Sequence, residues 1–222
     1  MAVHGVVGNT RRTLAASSPM LMLLSGASGS GKSMCVAALR DRWPAVRVRE
    51  DDELLATGKR RVEIVEALVA EAAADARAGR STLLATQAPL GELLAAPSAI
   101  EHAAIAACLL DCHDVERLRR VRARQPDDHA RFNQHHLNWA AFHRVHAVDS
   151  RWQQDVITGQ DPSLRCDRWS AWRSGDPRWR VRVIDTTGAG QDEVVAAVAA
   201  WVEGLLAAPE RAPLRGAWWD ES

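Results

Sequence analysis

The stretch Gly26-Ala27-Ser28-Gly29-Ser30-Gly31-Lys32-Ser33 constrains this chain more than any other. It fits G-x-x-x-x-G-K-[ST] at every fixed position, the spacing of a loop that wraps a phosphate. The flanks agree: the apolar run 20–24 enters as a strand and residues 33–40 leave as a helix. Glycines at 26, 29 and 31 let the backbone turn tightly, so that its N–H groups face an anion. Ala27, Ser28 and Ser30 complete that cradle, and the start of the helix adds the positive end of its dipole. Lys32 is placed to reach the phosphates as a point charge, and the Ser33 hydroxyl to hold Mg²⁺. Among 28 Lys and Arg residues only two are lysines, Lys32 and Lys59, so a Lys where the motif demands one is not an accident of composition.

Bulk properties bound the rest. A length of 222 residues suits one domain, or one domain with a sizeable insertion, and 47% hydrophobic content is enough for a buried core. The expected division is a disordered leader over 1–18, a domain over 19–208 and a flexible tail over 209–222. A formal net charge of zero argues against nucleic acid or an anionic membrane as the main partner. Four irregularly spaced cysteines read as buried apolar residues in a reducing compartment, not as a disulfide framework. With no apolar run long enough to span a bilayer and no signal peptide, the expected location is cytoplasmic.

Along the chain, residues 45–49 alternate as a short strand that ends in the acids Glu50, Asp51, Asp52 and Glu53. Open α/β sheets bind ligands at the carboxyl ends of their strands. An acid there can take a proton from a substrate hydroxyl or help to hold Mg²⁺, with Asp52 favoured over Asp51; an acidic helix cap is the plain alternative. Residues 61–78 carry apolar side chains at helical period, with Gly79 as the stop. The third strand, 81–86, ends at Gln87, which either binds substrate or satisfies a loop.

The fourth strand, 103–110, leads into Asp111-Cys112-His113-Asp114. An apolar strand ending in Asp111 suits an acid that assists Mg²⁺, while Asp111 or Asp114 equally suits an N-cap. In the next helix Arg117, Arg120 and Arg124 recur at spacings of three and four. Facing the glycine loop, such a row clamps transferring phosphates; facing outward, it is a solvated or RNA-contacting surface. From 125 to 179 the composition shifts to His, Trp and turn residues, read as a helical lid or acceptor pocket with His143 and Arg144 as substrate contacts. The last strand closes in Asp185-Thr186-Thr187-Gly188, and 191–206 reads as an amphipathic helix.

Gly26 to Ser33, the acids at 50–53, the arginines at 117, 120 and 124, and Val183-Ile184-Asp185-Thr186-Thr187 resemble a P-loop kinase of the nucleoside/nucleotide-kinase and gluconate-kinase type. The resemblance covers about residues 20–125 and 180–206. It implies a three-layer α/β fold with a five-stranded parallel sheet in the order 2-3-1-4-5 and a helical lid. It implies ATP and Mg²⁺ as cofactors, with Lys32, Asp52, Arg120 and Arg124 as catalytic residues. Arg117 and the turn Thr186, Thr187 and Gly188 would contact the nucleotide, Ser33 and Asp111 the metal, and Asp51 and Gln87 the acceptor. The activity implied is transfer of the ATP γ-phosphate to a small hydroxylated or phosphorylated metabolite, by a monomer or homodimer. The rival is a nucleotide-dependent switch or ATPase whose Trp/His-rich insertion docks a protein or RNA.

Overall fold

The protein is described by a computed structural model, in which residues 18–51, 54, 58–124 and 132–220 are placed. The expected leader, apart from its last residue, and Asp52 lie outside the described residues. Five strands form a parallel sheet: β1 (Leu21–Ser25), β2 (Val46–Glu50), β3 (Ser81–Thr86), β4 (Ala104–Asp111) and β5 (Val181–Asp185). Their order is β2-β3-β1-β4-β5, as expected. The inner strands β1 and β3 are buried at every residue, which is why they read as continuous apolar runs and not as alternating ones. The register brings Ser25 beside Thr86 and Leu109, Glu50 beside Ala85, and Asp111 beside Asp185. All five carboxyl ends therefore open on one edge of the sheet. The chain winds from β1 to one side and then returns to the other, so its direction of winding switches at β1.

Helices cover both faces. On one, α1 (Lys32–Leu39) and the C-terminal helix Gln191–Ala207 bury Val36, Leu39, Val198 and Val202 against Met22, Leu24 and Cys108. On the other, α2 (Arg61–Arg77) and α3 (Leu90–Ala95) pack on Leu21, Leu23, Leu84 and Ile105. Beyond the carboxyl edge runs α4 (Asp114–Arg124), and α5 (Gln134–His146) follows it. Two short turns of helix, α6 (Asp155–Thr158) and α7 (Asp167–Ser170), precede β5, so the C-terminal helix is α8.

The described part of the insertion, 132–179, is not a body standing off the sheet. Its Phe142, Ile157, Trp169, Trp172 and Trp179 are buried in the same cluster as Leu21 and Leu23. So much aromatic surface gains more from joining a core than from covering a cleft intermittently. The segment after Pro209 also departs from the expected loose tail. It adds β6 (Leu214–Arg215), antiparallel to β4 at Ala104 and Ile105, where β5 has not yet begun, and it buries Trp218. No helix among the described residues is long and apolar enough to cross a membrane.

Candidate active site

The glycine loop leaves β1 at Ser25 and enters α1 at Lys32. Gly26 has φ +155°, and a Cβ there would lie 2.5 Å from the Leu110 carbonyl oxygen of the neighbouring strand. Only glycine lets the loop start this close to the sheet. Gly31, the N-cap of α1, is left-handed at φ +104°. The loop thus reaches the helix N-terminus with its backbone curled around a cavity of about 470 Å³. Ser28, Gly29, Gly31, Lys32 and Ser33 line that cavity. Lys32 is folded back, its Nζ donating to the Gly26 carbonyl at 2.6 Å.

Charge around the cavity is uneven. Lys32, Arg119, Arg120 and Arg124 face Glu50 and Asp51, four cations against two carboxylates. Arg119 was not anticipated, because nothing in its spacing separates it from a solvated arginine. Arg120 donates from Nη1 to the Thr186 hydroxyl at 2.9 Å and from Nε to Glu116 at 2.7 Å. It therefore ties the turn after β5 to α4 while its side chain borders the cavity. Thr186 is buried, and neither it nor Thr187 nor Gly188 lines the cavity; Gln191, at the start of α8, does. The Thr187 hydroxyl instead accepts the His113 N–H at 2.8 Å.

Arg117 lies elsewhere than the row of guanidiniums suggests. Its side chain is fully buried and lines no part of the cavity. It donates to the Ser28 carbonyl at 2.7 Å, to Asp111 Oδ1 at 2.6 Å and to the Cys112 carbonyl at 3.3 Å. The guanidinium props the outer side of the glycine loop against the end of β4. Asp111 is occupied on its other oxygen too, where Arg144 Nε donates at 2.6 Å. Arg144 also donates to the Cys112 carbonyl at 3.0 Å and pairs with Asp114, whose carboxyl it holds below the usual carboxylate range. Ser33 and Asp111 are thus not brought to one wall: Ser33 borders the cavity, while Asp111 anchors two arginines.

Asp51 and Gln87 stand at a junction. Asp51 is nearly buried, and its Oδ2 accepts from the Thr86 hydroxyl at 2.6 Å and from the Gln87 N–H at 3.1 Å. The Gln87 side chain accepts from the Ser28 hydroxyl at 3.4 Å, linking strand end to loop. Both residues also line a second cavity of about 710 Å³, with Arg61, Trp139, Phe142 and Trp152. The Gln87 carbonyl accepts from Trp139 Nε1 at 3.2 Å and pairs with His143 Nε2 at 3.0 Å.

His143, expected to touch substrate, lies beneath this wall and is buried. Burial, then the nearby Lys32 charge, pushes its pKa down to about 3, so the ring is neutral. A carbonyl can only accept, so the single ring proton belongs on Nε2 and Nδ1 faces the Ser25 hydroxyl at 3.2 Å. Arg61, which sequence reasoning passed over as the start of a packing helix, borders the second cavity. It lies 4.4 Å from the Trp139 ring and donates to Glu92 Oε1 at 2.9 Å. No local signal marks it, because its role comes from α5 and α3 packing beside it.

No family model matches the chain, and no curated protein matches it. Solved structures do. The protein APE1195 is 14% identical with a TM-score of 0.50, over 85% of this chain and 97% of that one. A sugar kinase from Janibacter is 16% identical with a TM-score of 0.47, over 85% and 97% of the two chains. The thymidylate kinase of Candida albicans is 11% identical with a TM-score of 0.45, over 84% and 92%. At such identities a likeness speaks to the fold alone. The likeness to APE1195 is one of overall fold, and the strand order 2-3-1-4-5 is that of this chain's own sheet.

Proposed function

We propose that this protein is an ATP-dependent phosphotransferase acting on a small hydroxylated acceptor. The observation that carries the proposal is the junction at Asp51 and Gln87, the residues common to a cationic cavity on the glycine loop and a second, aromatic cavity. Two reactants held in adjoining sites convert a bimolecular step into a nearly unimolecular one.

The first cavity suits a nucleoside triphosphate with Mg²⁺. Its loop starts at a glycine whose Cβ would clash with Leu110, it opens on the N-terminus of α1, and four cations border it. Lys32 and the amides of residues 26–33 would hold the β- and γ-phosphates, and Ser33 would hold the cation. Arg120 and Arg124, helped by Arg119, would offset charge on the transferring group. MgATP supplies the phosphoryl group and the divalent charge that shields it. Asp52 would orient or deprotonate the acceptor hydroxyl; it follows in sequence Asp51, which Thr86 and Gln87 fix on the wall. Asp111, held by two guanidiniums, would act through Arg117 and Arg144 and not on the metal directly. The switch reading, in which the Trp/His-rich insertion docks a protein or RNA, gains no comparable support, since Trp169, Trp172 and Trp179 of that insertion are buried.

The test is ADP release from MgATP against sugars, sugar acids, nucleosides and ring-bearing alcohols, with Lys32→Ala as the blank. Acceleration by one acceptor class, lost in Lys32→Ala, is the expected outcome. Asp52→Asn should lower kcat by about a hundredfold with ATP affinity kept, the usual scale for a general base. A flat background over the whole panel would remove the phosphotransferase reading, and an unchanged rate in Asp52→Asn would remove that residue from the mechanism.

A further inference from the structure

The second cavity has a chemistry of its own, and it bears on what the acceptor is. Its volume of about 710 Å³ is in the range that accommodates a drug-sized ligand, roughly 300–1,000 Å³. Trp139, Phe142 and Trp152 supply its aromatic wall. Trp139 has already spent its polar edge, since its indole N–H donates to the Gln87 carbonyl. What it offers the cavity is ring. Trp152 is 40% exposed beside Phe142, with ring centroids 5.9 Å apart, an uncommon position for so large an apolar side chain.

The charges point the same way. Asp51 is the one carboxylate among the lining residues and Arg61 the one guanidinium. Arg61 is committed three times over: to Glu92 Oε1 at 2.9 Å, to Gln160 Oε1 at 3.0 Å and to the face of Trp139. A phosphorylated acceptor calls for several guanidinium or ammonium groups in a convergent set. Those groups border the other cavity, where Lys32, Arg119, Arg120 and Arg124 stand. The remaining polar groups on the aromatic side are the neutral amides of Asn138, Gln153 and Gln160, able to fix a hydroxyl or carbonyl, and the rings of His135 and His136, the latter with its Nδ1 already turned to the Asn133 N–H.

We infer that the aromatic cavity takes an uncharged, ring-bearing alcohol in preference to its phosphorylated counterpart. As an account of the acceptor, the inference rests on the phosphotransferase reading. Its hydroxyl would point toward the end of β2, where Asp51 stands at the junction with the loop cavity. The hydroxyl oxygen would bond to the γ-phosphorus as the bridging bond to the β-phosphate breaks. Its proton would pass to a strand-end acid, and the nucleoside diphosphate would leave.

The experiment uses the full chain and two readouts. Binding is followed by quenching of tryptophan fluorescence without nucleotide, and transfer by ADP formation from MgATP. The probes are thymidine, pyridoxine and 2-phenylethanol, each beside its own phosphate monoester, with glucose and gluconate as polyols. At least one neutral ring-bearing alcohol should bind and accelerate ADP formation, and its phosphate ester should do neither. Trp152→Ala, at the rim and outside the core, should raise Kd and KM for that alcohol about tenfold. Trp152→Phe should restore most of the loss, and KM for MgATP should not move.

A preference for the monoesters or the polyols would overturn the inference and leave the phosphotransferase reading standing. Binding sensitive to Trp152→Ala without any ADP would support the ligand class and overturn phosphoryl transfer. If no ring-bearing alcohol bound better than glucose, the inference would fail whatever the transfer assay showed.

Discussion

Arg117 shows how far a residue's spacing speaks for its role. Recurrence at three and four residues places Arg117, Arg120 and Arg124 on one side of α4, and that much is legible in the sequence. Which side meets the glycine loop depends on how α4 leaves β4, and no local signal encodes that angle. The outcome is a division of labour. Arg120 and Arg124 border the cavity, while Arg117 is buried and holds the Ser28 carbonyl, Asp111 and the Cys112 carbonyl. A buried guanidinium is tolerable only with its charge met and most of its donors paired, and here both terminal nitrogens are paired while Nε finds no hydrogen bond among the described residues. Removing it strands Asp111 with one partner fewer and leaves the Ser28 carbonyl without that donor. Arg117→Ala is therefore expected to lower unfolding free energy by about 3–5 kcal/mol, read from urea titrations. Arg117→Lys keeps the charge but cannot reproduce the fork, so it should fold yet raise KM for MgATP. Equal stability of Arg117→Ala and the parent protein would refute this account. Gly26, Lys32 and Ser33 needed no such context, because their spacing along the chain already specifies the loop.

At the scale of the element, α5 is the most informative. That a helix lies within 125–179 was legible, but not its bounds: it runs from Gln134 to His146. Asn133 caps it, its side chain accepting the His135 N–H at 3.0 Å, and the His136 ring reaches back to the Asn133 N–H. An Asn followed by a run of histidines gives a weak start signal, and the true beginning was missed. The buried face presents Ala140, Phe142, His143 and His146. Burial lowers the pKa of His146 to about 4 and, with Lys32 nearby, that of His143 to about 3. Both folded values lie below the unfolded value of about 6.5, so the unfolded chain binds more protons in the interval between. Stability from these rings is full above about pH 6.5 and falls as pH drops toward 4. Two protons give a maximal slope of about 2.7 kcal/mol per pH unit there. Urea midpoints at pH 7, 5.5 and 4.5 should show that decline. His146→Leu should halve its slope, since among the described residues neither ring nitrogen of His146 finds a hydrogen-bond partner that the substitution would cost. A pH-independent midpoint from 7 to 4.5 would mean that neither ring is buried as described.

For the molecule as a whole, the sheet order and the two helical layers were legible because apolar runs, loop and helices each carry local signals that agree. What escaped was the core's use of distant aromatic residues. β6 is two residues long, too short for an alternating pattern, and Trp218 comes only six residues after Ala212 with no periodicity to announce it. In the fold, Trp218 is 2% exposed, its ring 6.3 Å from Trp172, which lies 6.2 Å from Trp179. The Trp179 Nε1 donates to the His146 carbonyl at 2.7 Å, so this chain of rings runs from the C-terminal strand to α5, whose Trp139 and Phe142 form the aromatic cavity. Trp218 is thus far from the glycine loop in sequence and joined to the acceptor wall through packing. Trp218→Ala should cost about 3–5 kcal/mol by opening a cavity in this cluster. Trp218→Phe should cost on the order of 1 kcal/mol, because it keeps most of the ring and removes an indole N–H that is buried without a partner. The functional consequence is more specific than loss of fold. At a temperature where Trp218→Ala is still folded, loosening α5 should weaken binding in the aromatic cavity while nucleotide affinity at the loop, whose helix α1 packs on the other face of the sheet, is unchanged. Titration of the folded variant with an ATP analogue and with a ring-bearing alcohol separates the two. Equal losses at both sites would show that the layers do not behave as independent supports.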